Sequence, residues 1–328
     1  MVSRKPAPLA VRPYDSIIMW KILSGAFLGW SLGANDSANI FGTGVATGTI
    51  RYGAAIWLTA AFLMAGALLE GPKCMEVLTD LSSLRPLHAF FCALAAALTM
   101  TAMTALAVPA SSSHAVVGAI VGVGLVSESA DFSPLVKIVI CWLLTPICGL
   151  VLGYLLLRIL TFLFNRTRLS LTRRNRIYFL GILIAGCYGA YTLGSNNVAN
   201  VTGVYVGSGL LTPRSASLIG GLAIALGVLT FSHRVMMTVG RGIAPLDPFT
   251  AFVTVLAGAV SLHLFTQVGI PVSSSQAIVG AVVGVGLVGD IRTVSPRVLT
   301  RIGLGWVLTP LASGMLAWLF VVGVRCLH

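Results

Sequence analysis

Residues 33–48 read GANDSANIFGTGVATG, and residues 194–209 read GSNNVANVTGVYVGSG, 161 positions later. Gly33, Asn35, Ala38, Asn39, Gly42, Val45 and Gly48 recur identically. VPASSSHAVVGAIVGVGLV at 108–126 returns as IPVSSSQAIVGAVVGVGLV at 270–288, with 14 of 19 positions the same. WLLTP at 142–146 returns as WVLTP at 306–310. Three pairs in the same order at nearly constant offset mean one structural unit written twice.

Apolar runs of 16 to 30 residues separate these motifs. Only 9 % of the chain is charged and 57 % hydrophobic, against roughly 25 % charged in a soluble domain. Runs of that length match helices crossing ~30 Å of hydrocarbon at ~1.5 Å per residue. The ~10-residue alternation of membrane strands is missing. Five segments fall in the first half, near 17–50, 54–70, 88–108, 109–127 and 135–164. Five more follow, near 177–210, 213–232, 248–268, 271–289 and 298–325. An odd number per copy makes the second copy enter the bilayer from the opposite side.

The expected fold is an all-α polytopic membrane protein of two inverted-topology repeats. Each has about five hydrophobic segments, with broken helices and helical hairpins meeting near the bilayer midplane. An N-terminal tail 1–16, a first membrane repeat 17–164, a basic cytoplasmic linker 165–176 and a second repeat 177–325 divide the chain. Segment 17–50 would span ~51 Å as one straight helix. It must break, tilt or double back, and the Gly/Asn motif lies where a break would fall.

The net charge of +12 does not indicate nucleic acid. Arg158, Arg166, Arg168, Arg173, Arg174 and Arg176 crowd one connection, and no aromatic side chains interleave with them to stack bases. A basic connection between spans belongs in the cytoplasm. Five crossings per copy then put both termini outside, although Arg4, Lys5, Arg12 and Lys21 count against that orientation. With three prolines and no short apolar stretch before a cleavage site, residues 1–21 do not read as a removable signal. Six cysteines at irregular spacing within apolar segments read as buried small hydrophobes rather than a disulfide or metal framework.

Polar residues deep in apolar segments point to function. Asn35, Asp36 and Asn39 are matched by Asn196, Asn197 and Asn200 in copy two. Amide and carboxylate oxygens beside glycines supply hard ligands for a small cation. Pro109 and Pro271 precede the serines Ser111, Ser112 and Ser113, and Ser273, Ser274 and Ser275. A proline ends the preceding helix, so the serines fall at the start of the next. Hydroxyls and unpaired N–H groups there make an anion pocket. Helix capping alone accounts for one serine per copy, not three.

Neither motif contains Lys or Arg. An anionic charge held ~4 Å from Asp36 is repelled by about 4 kcal/mol at an effective dielectric of ~20. An anion site of this kind wants a co-bound cation, so each strengthens the other's binding. The expectation is cation–anion symport. Asn35, Asp36, Asn196 and Asn197 hold the coupling cation, while both serine triads hold the anion with Asn39 and Asn200. An ion channel and a membrane enzyme such as a lipid phosphatase are the rival classes. The second would need an acid–base or metal cluster at one interface, which nine acids and five histidines do not assemble.

Several patterns carry less. Gly284–Gly289 fits G-x-G-x-x-G but ends an apolar helix with no strand before it. Gly118/Gly122 and Gly280/Gly284 read as close-packing faces. His114 follows Ser113, but copy two has Gln276 there, which speaks against a Ser–His hydrolase and leaves His114 as a possible proton carrier. Glu70, at a segment end before Gly71-Pro72-Lys73, reads as an interfacial charge.

With Gly33–Asn39, Gly194–Asn200, Pro109–His114 and Pro271–Gln276 in hand, the chain resembles the inorganic phosphate transporter (Pit) family over nearly its whole length. The resemblance implies phosphate and coupling cations at the centre of an inverted-repeat fold, Na⁺ or H⁺ as the co-transported ion, no cofactor, no metal beyond Na⁺, and a homodimer. Asn197 replaces an acid usual in the second motif, Gln276 replaces the second tip histidine, and Ala89 and Ala251 stand where many members have glutamates. Coupling through fewer cations or through protons follows, and sulfate, carried by one branch, becomes the alternative substrate. The short central connection fits a prokaryotic inner-membrane protein.

Overall fold

The computed structural model describes residues 20–81, 84–106, 110–127, 133–167, 169–233, 236–237, 246–289 and 295–327. The tail 1–16, with Arg4, Lys5 and Arg12, and Pro109 lie outside them.

Regular structure among the described residues is helical throughout. The first repeat holds α1 (Leu23–Asp36), α2 (Ala38–Ala46), α3 (Tyr52–Glu70), α4 (Met75–Leu81), α5 (Pro86–Ala105), α6 (Ser112–Ser127) and α7 (Ser133–Arg166). The second holds α8 (Leu171–Gly207), α9 (Pro213–Phe231), α10 (Pro248–Gln267), α11 (Ser274–Val288) and α12 (Pro296–Leu327). Among the described residues, seven helical segments are long and apolar enough to cross a membrane. The serine-tipped helices are not: α6 has 16 residues and α11 has 15, ~24 and ~22 Å of rise against ~30 Å of hydrocarbon. Drawn as full segments from 109 and 271, they are short arms of the hairpins α5–α6 and α10–α11.

Local chemistry sets the boundaries. Proline opens α5, α9, α10 and α12 (Pro86, Pro213, Pro248 and Pro296), where its missing N–H costs nothing. Asp247 caps α10 by accepting from the N–H groups of Phe249 and Thr250. The repeated Gly48 and Gly209 follow α2 and α8 at φ +70° and +74°, the left-handed turn that favours glycine after a helix. Helix enters the expected linker 165–176 from both sides. α7 runs to Arg166, Ser170 caps α8, and Arg173, Arg174 and Arg176 lie in its first turns.

The expected break is present in one copy. At Ser37 the α pattern lapses between α1 and α2, and Ile40 N–H bonds to Ser37 O over 3.2 Å in a tightened turn. Copy two passes through the same motif unbroken, as the 37-residue α8. Val198 stands in place of Ser37, and its methyls lie against Gly71 and Gly220, so packing holds the turn.

The repeats interlock rather than sit side by side. α3 packs on α8 and α9 on α1, while α6 packs on α12 and α11 on α7. Glycines make this possible. A Cβ on Gly33 would strike the Ile224 carbonyl, and one on Gly194 the Leu63 carbonyl, again 161 positions on. Gly118 and Gly280 lie against the backbones of Pro310 and Pro146 in the same reciprocal way, bearing out their reading as packing faces. The outer helices α7 and α12 expose Leu143, Ile147, Leu311 and Met315, an apolar surface suited to lipid.

Candidate functional site

The polar motifs of both repeats converge on one buried cluster. Asp36 ends α1, and Ser112 opens α6 in the same repeat. Ser112 Oγ lies 3.1 Å from Asp36 Oδ2 and 3.3 Å from Asn197 Oδ1 on α8. Its one proton can serve only one of them at a time. Asn200 Nδ2 donates to the same Asn197 oxygen over 2.9 Å. Across the cluster, Asn39 Nδ2 on α2 donates to Ser274 Oγ at the start of α11 over 3.3 Å. Each is buried; the most exposed, Asn39, reaches only 8 %.

Several atoms here lack any partner: Asp36 Oδ1, Ser37 Oγ, Asn39 Oδ1, Thr43 Oγ1, Asn197 Nδ2 and Asn200 Oδ1. Buried polar groups are nearly always bonded, so such a concentration marks a place built to receive something. Five of the six are oxygens. Among the described residues Asp36 is the one buried carboxylate, and no Lys or Arg is buried. A cavity of about 20 Å³ reaches Asn39, Thr192 and Ser274, room for about one water.

The serine triads divide into roles that the sequence did not separate. Ser111 Oγ accepts from His114 N–H and Ser273 Oγ from Gln276 N–H, both over 3.3 Å, which makes them N-caps. Ser113 and Ser275 pair with those capping hydroxyls at 3.1 and 2.9 Å. Only Ser112 and Ser274 bond to the Asn/Asp motifs. Asn35 and Asn196 also differ from their neighbours, since their amides bond to the chain on either side of each tip.

His114 is buried beside Trp142, with ring centroids 3.8 Å apart. Pro310 lacks the N–H that would have met the Trp306 carbonyl four residues earlier, and His114 Nδ1 donates to that carbonyl over 2.9 Å. A carbonyl only accepts, so Nδ1 carries the proton, and Nε2 has no partner. Trp306 and Pro310, known from sequence only as a repeated motif, thus fix this ring. Ala89 and Ala251 lie buried in the first turns of α5 and α10, and Ala251 is one turn before Val255, which lines the cavity shared with Asn39 and Ser274. Glu70 belongs to a separate, partly exposed group with Lys73, His263 and Gln267. The six cysteines are free thiols.

The model of the phosphate transporter family matches this chain twice, over residues 32–182 and 170–317. The chain belongs to that family. Each match contains one copy of both motifs, as two repeats require. A protein named as a phosphate permease in Methanocaldococcus jannaschii is 29 % identical over 89 % of this chain and 93 % of its own. Another so named in Pyrococcus furiosus is 26 % identical over 92 % and 95 %. The sulfate permease CysP of Bacillus subtilis is 27 % identical over 92 % and 86 %. A solved structure described as the sodium-dependent phosphate transporter superposes with a TM-score of 0.84 at 20 % identity, covering 95 % of this chain and all of that one, and so shows the same fold.

Proposed function

We propose that this member of the phosphate transporter family carries inorganic phosphate across the cell's inner membrane by cation-coupled symport. One observation carries the reading: the Asp36 carboxylate and the Asn39 amide bond to the serine tips of two helices from opposite repeats, Asn39 and Asn200 each keep an amide oxygen without a partner, and among the described residues no Lys or Arg is buried to balance an anion. Oxygens of this kind suit Na⁺, and Ser112, Ser274 and the first-turn N–H groups of α6 and α11 suit the oxyanion. The cation offsets the repulsion between Asp36 and the anion, so the two travel together. The 20 Å³ cavity is too small for a tetrahedral oxyanion. Anion binding there therefore requires the side chains that close the cavity to part, the Asn39–Ser274 pair among them.

Asn197 in place of a second carboxylate leaves one negative ligand, in keeping with few coupling ions. Na⁺ is favoured over H⁺ by the number of hard oxygens. His114 fits proton carriage poorly, because its Nδ1 is held by the Trp306 carbonyl. Dimerisation and residence in the inner membrane rest on the family resemblance alone. Sulfate is the second reading, supported by the similarity to CysP and by a site whose hydroxyl and N–H donors are uncharged. Uptake of labelled phosphate and sulfate into proteoliposomes, with and without a Na⁺ gradient at two pH values, tests both. Phosphate uptake that survives excess sulfate and fails without Na⁺ is expected. Sulfate uptake with no phosphate uptake overturns the reading.

A further inference from the structure

We infer that Asn35 and Asn196 are positioning residues that set the two serine tips, rather than ligands of the transported ions. This deepens the transport reading and reassigns two of its motif residues. Asn35 Nδ2 donates to Thr104 Oγ1 over 2.9 Å, in the last turn of α5. Its Oδ1 accepts from Ala110 N–H, just before α6, at 3.4 Å. Asn196 does the same for the other hairpin. Its Nδ2 donates to Thr266 Oγ1 over 3.0 Å and lies 3.3 Å from Ile270 O, while its Oδ1 accepts from Val272 N–H at 3.0 Å. Each amide therefore holds both sides of a crossover between the long arm of a hairpin and its serine tip.

The two threonines are prepared for this. Thr104 and Thr266 donate their own hydroxyl protons to the carbonyls of Met100 and Leu262, which leaves oxygen lone pairs for the asparagines. The contrast with the neighbouring motif residues decides the role. Asp36, Asn39, Asn197 and Asn200 each leave a buried atom without a partner, whereas neither Asn35 nor Asn196 does. A side chain bonded through both its nitrogen and its oxygen to the tip loop is occupied with shape.

Hydrogen exchange on the full chain in lipid nanodiscs, together with uptake kinetics, tests this with Asn35→Ala, Thr104→Val, Asn196→Ala and Thr266→Val. Asn35→Ala and Thr104→Val are expected to speed exchange at residues 110–115 by about tenfold or more and to leave 272–277 unchanged. Asn196→Ala and Thr266→Val should do the reverse. The double variant of Asn196 and Thr266 should be no worse than either single one, because both break the same clasp. Phosphate KM and cation KM should rise together in each. Thr266→Ser, which keeps the hydroxyl, should restore wild-type behaviour, and it keeps the test open if Asn196→Ala does not fold. Wild-type exchange in both alanine variants, with a rise in cation KM alone, overturns the inference in favour of ligation. A wild-type protein that moves neither anion defeats the transport reading, while the exchange pattern still decides the positioning role.

Discussion

Asn39 of the first repeat donates to Ser274 of the second over 3.3 Å, joining one copy's polar motif to the other copy's serine tip. The central site is therefore a product of the interlock, and neither repeat contains it alone. Motion of one repeat against the other must make and break such contacts, which is what alternating access around a central site requires.

Asp36→Asn keeps the size of the side chain and removes the one buried carboxylate among the described residues. Concentrative uptake should fall at least about 100-fold, in proportion to ~3 kcal/mol or more of lost cation binding. Thermal stability should change little. Passive anion flux that persists at the wild-type level in this variant would mean a channel.

The serines should separate by role. Ser112→Ala and Ser274→Ala are expected to raise the phosphate KM about tenfold, the effect of one lost hydrogen bond to a charged group. Ser111→Ala and Ser273→Ala remove N-caps and should lower stability by about 1 kcal/mol. Kinetics and melting measured on the same preparations check this. Equal effects on KM from all four would show that the triad acts as a unit.

His114→Gln should retain uptake with an unchanged pH profile, because an amide can also donate to the Trp306 carbonyl and copy two already carries Gln276. His114→Ala should lose stability, leaving that carbonyl buried without a donor at a cost of ~1–3 kcal/mol. Loss of pH dependence in the glutamine variant would instead make His114 a proton carrier.

Gly33→Ala and Gly194→Ala test the interlock. Their new methyl groups would meet the carbonyls of Ile224 and Leu63, and backbone cannot rotate away as a side chain can. A loss of ~1–3 kcal/mol per site is expected, read as reduced monodisperse yield in detergent. Gly53→Ala, with nothing near its Cβ position, should behave as wild type.

Much of the architecture was legible because hydrocarbon demands it. Most helix ends fall within about three residues of the drawn segments, since prolines and repeated glycines mark them. Larger offsets occur at α1, which begins at Leu23, at α2, which stops at Ala46, at α4, which lies between two expected segments, and at the basic connection, where α8 begins six residues before the expected 177. Arginines there lie outside the apolar pattern yet remain good helix formers. The role of Asn35 was not legible, because N-x-x-x-N looks the same whether an amide faces an ion or a loop.

The sequence by itself determined a membrane protein of two repeats, because few charges and a doubled motif leave no other way to bury this chain. It also singled out the Asn/Asp motifs and the serine tips, which the fold brings together in one buried polar cluster. Only the tertiary structure decided which atoms do what. Ser112 faces Asp36 while Ser111 caps a helix one residue away, and Asn197 shares its oxygen while Asn196 holds a loop. The reason is geometric: adjacent residues on a helix point about 100° apart, so their partners depend on how the two repeats interlock.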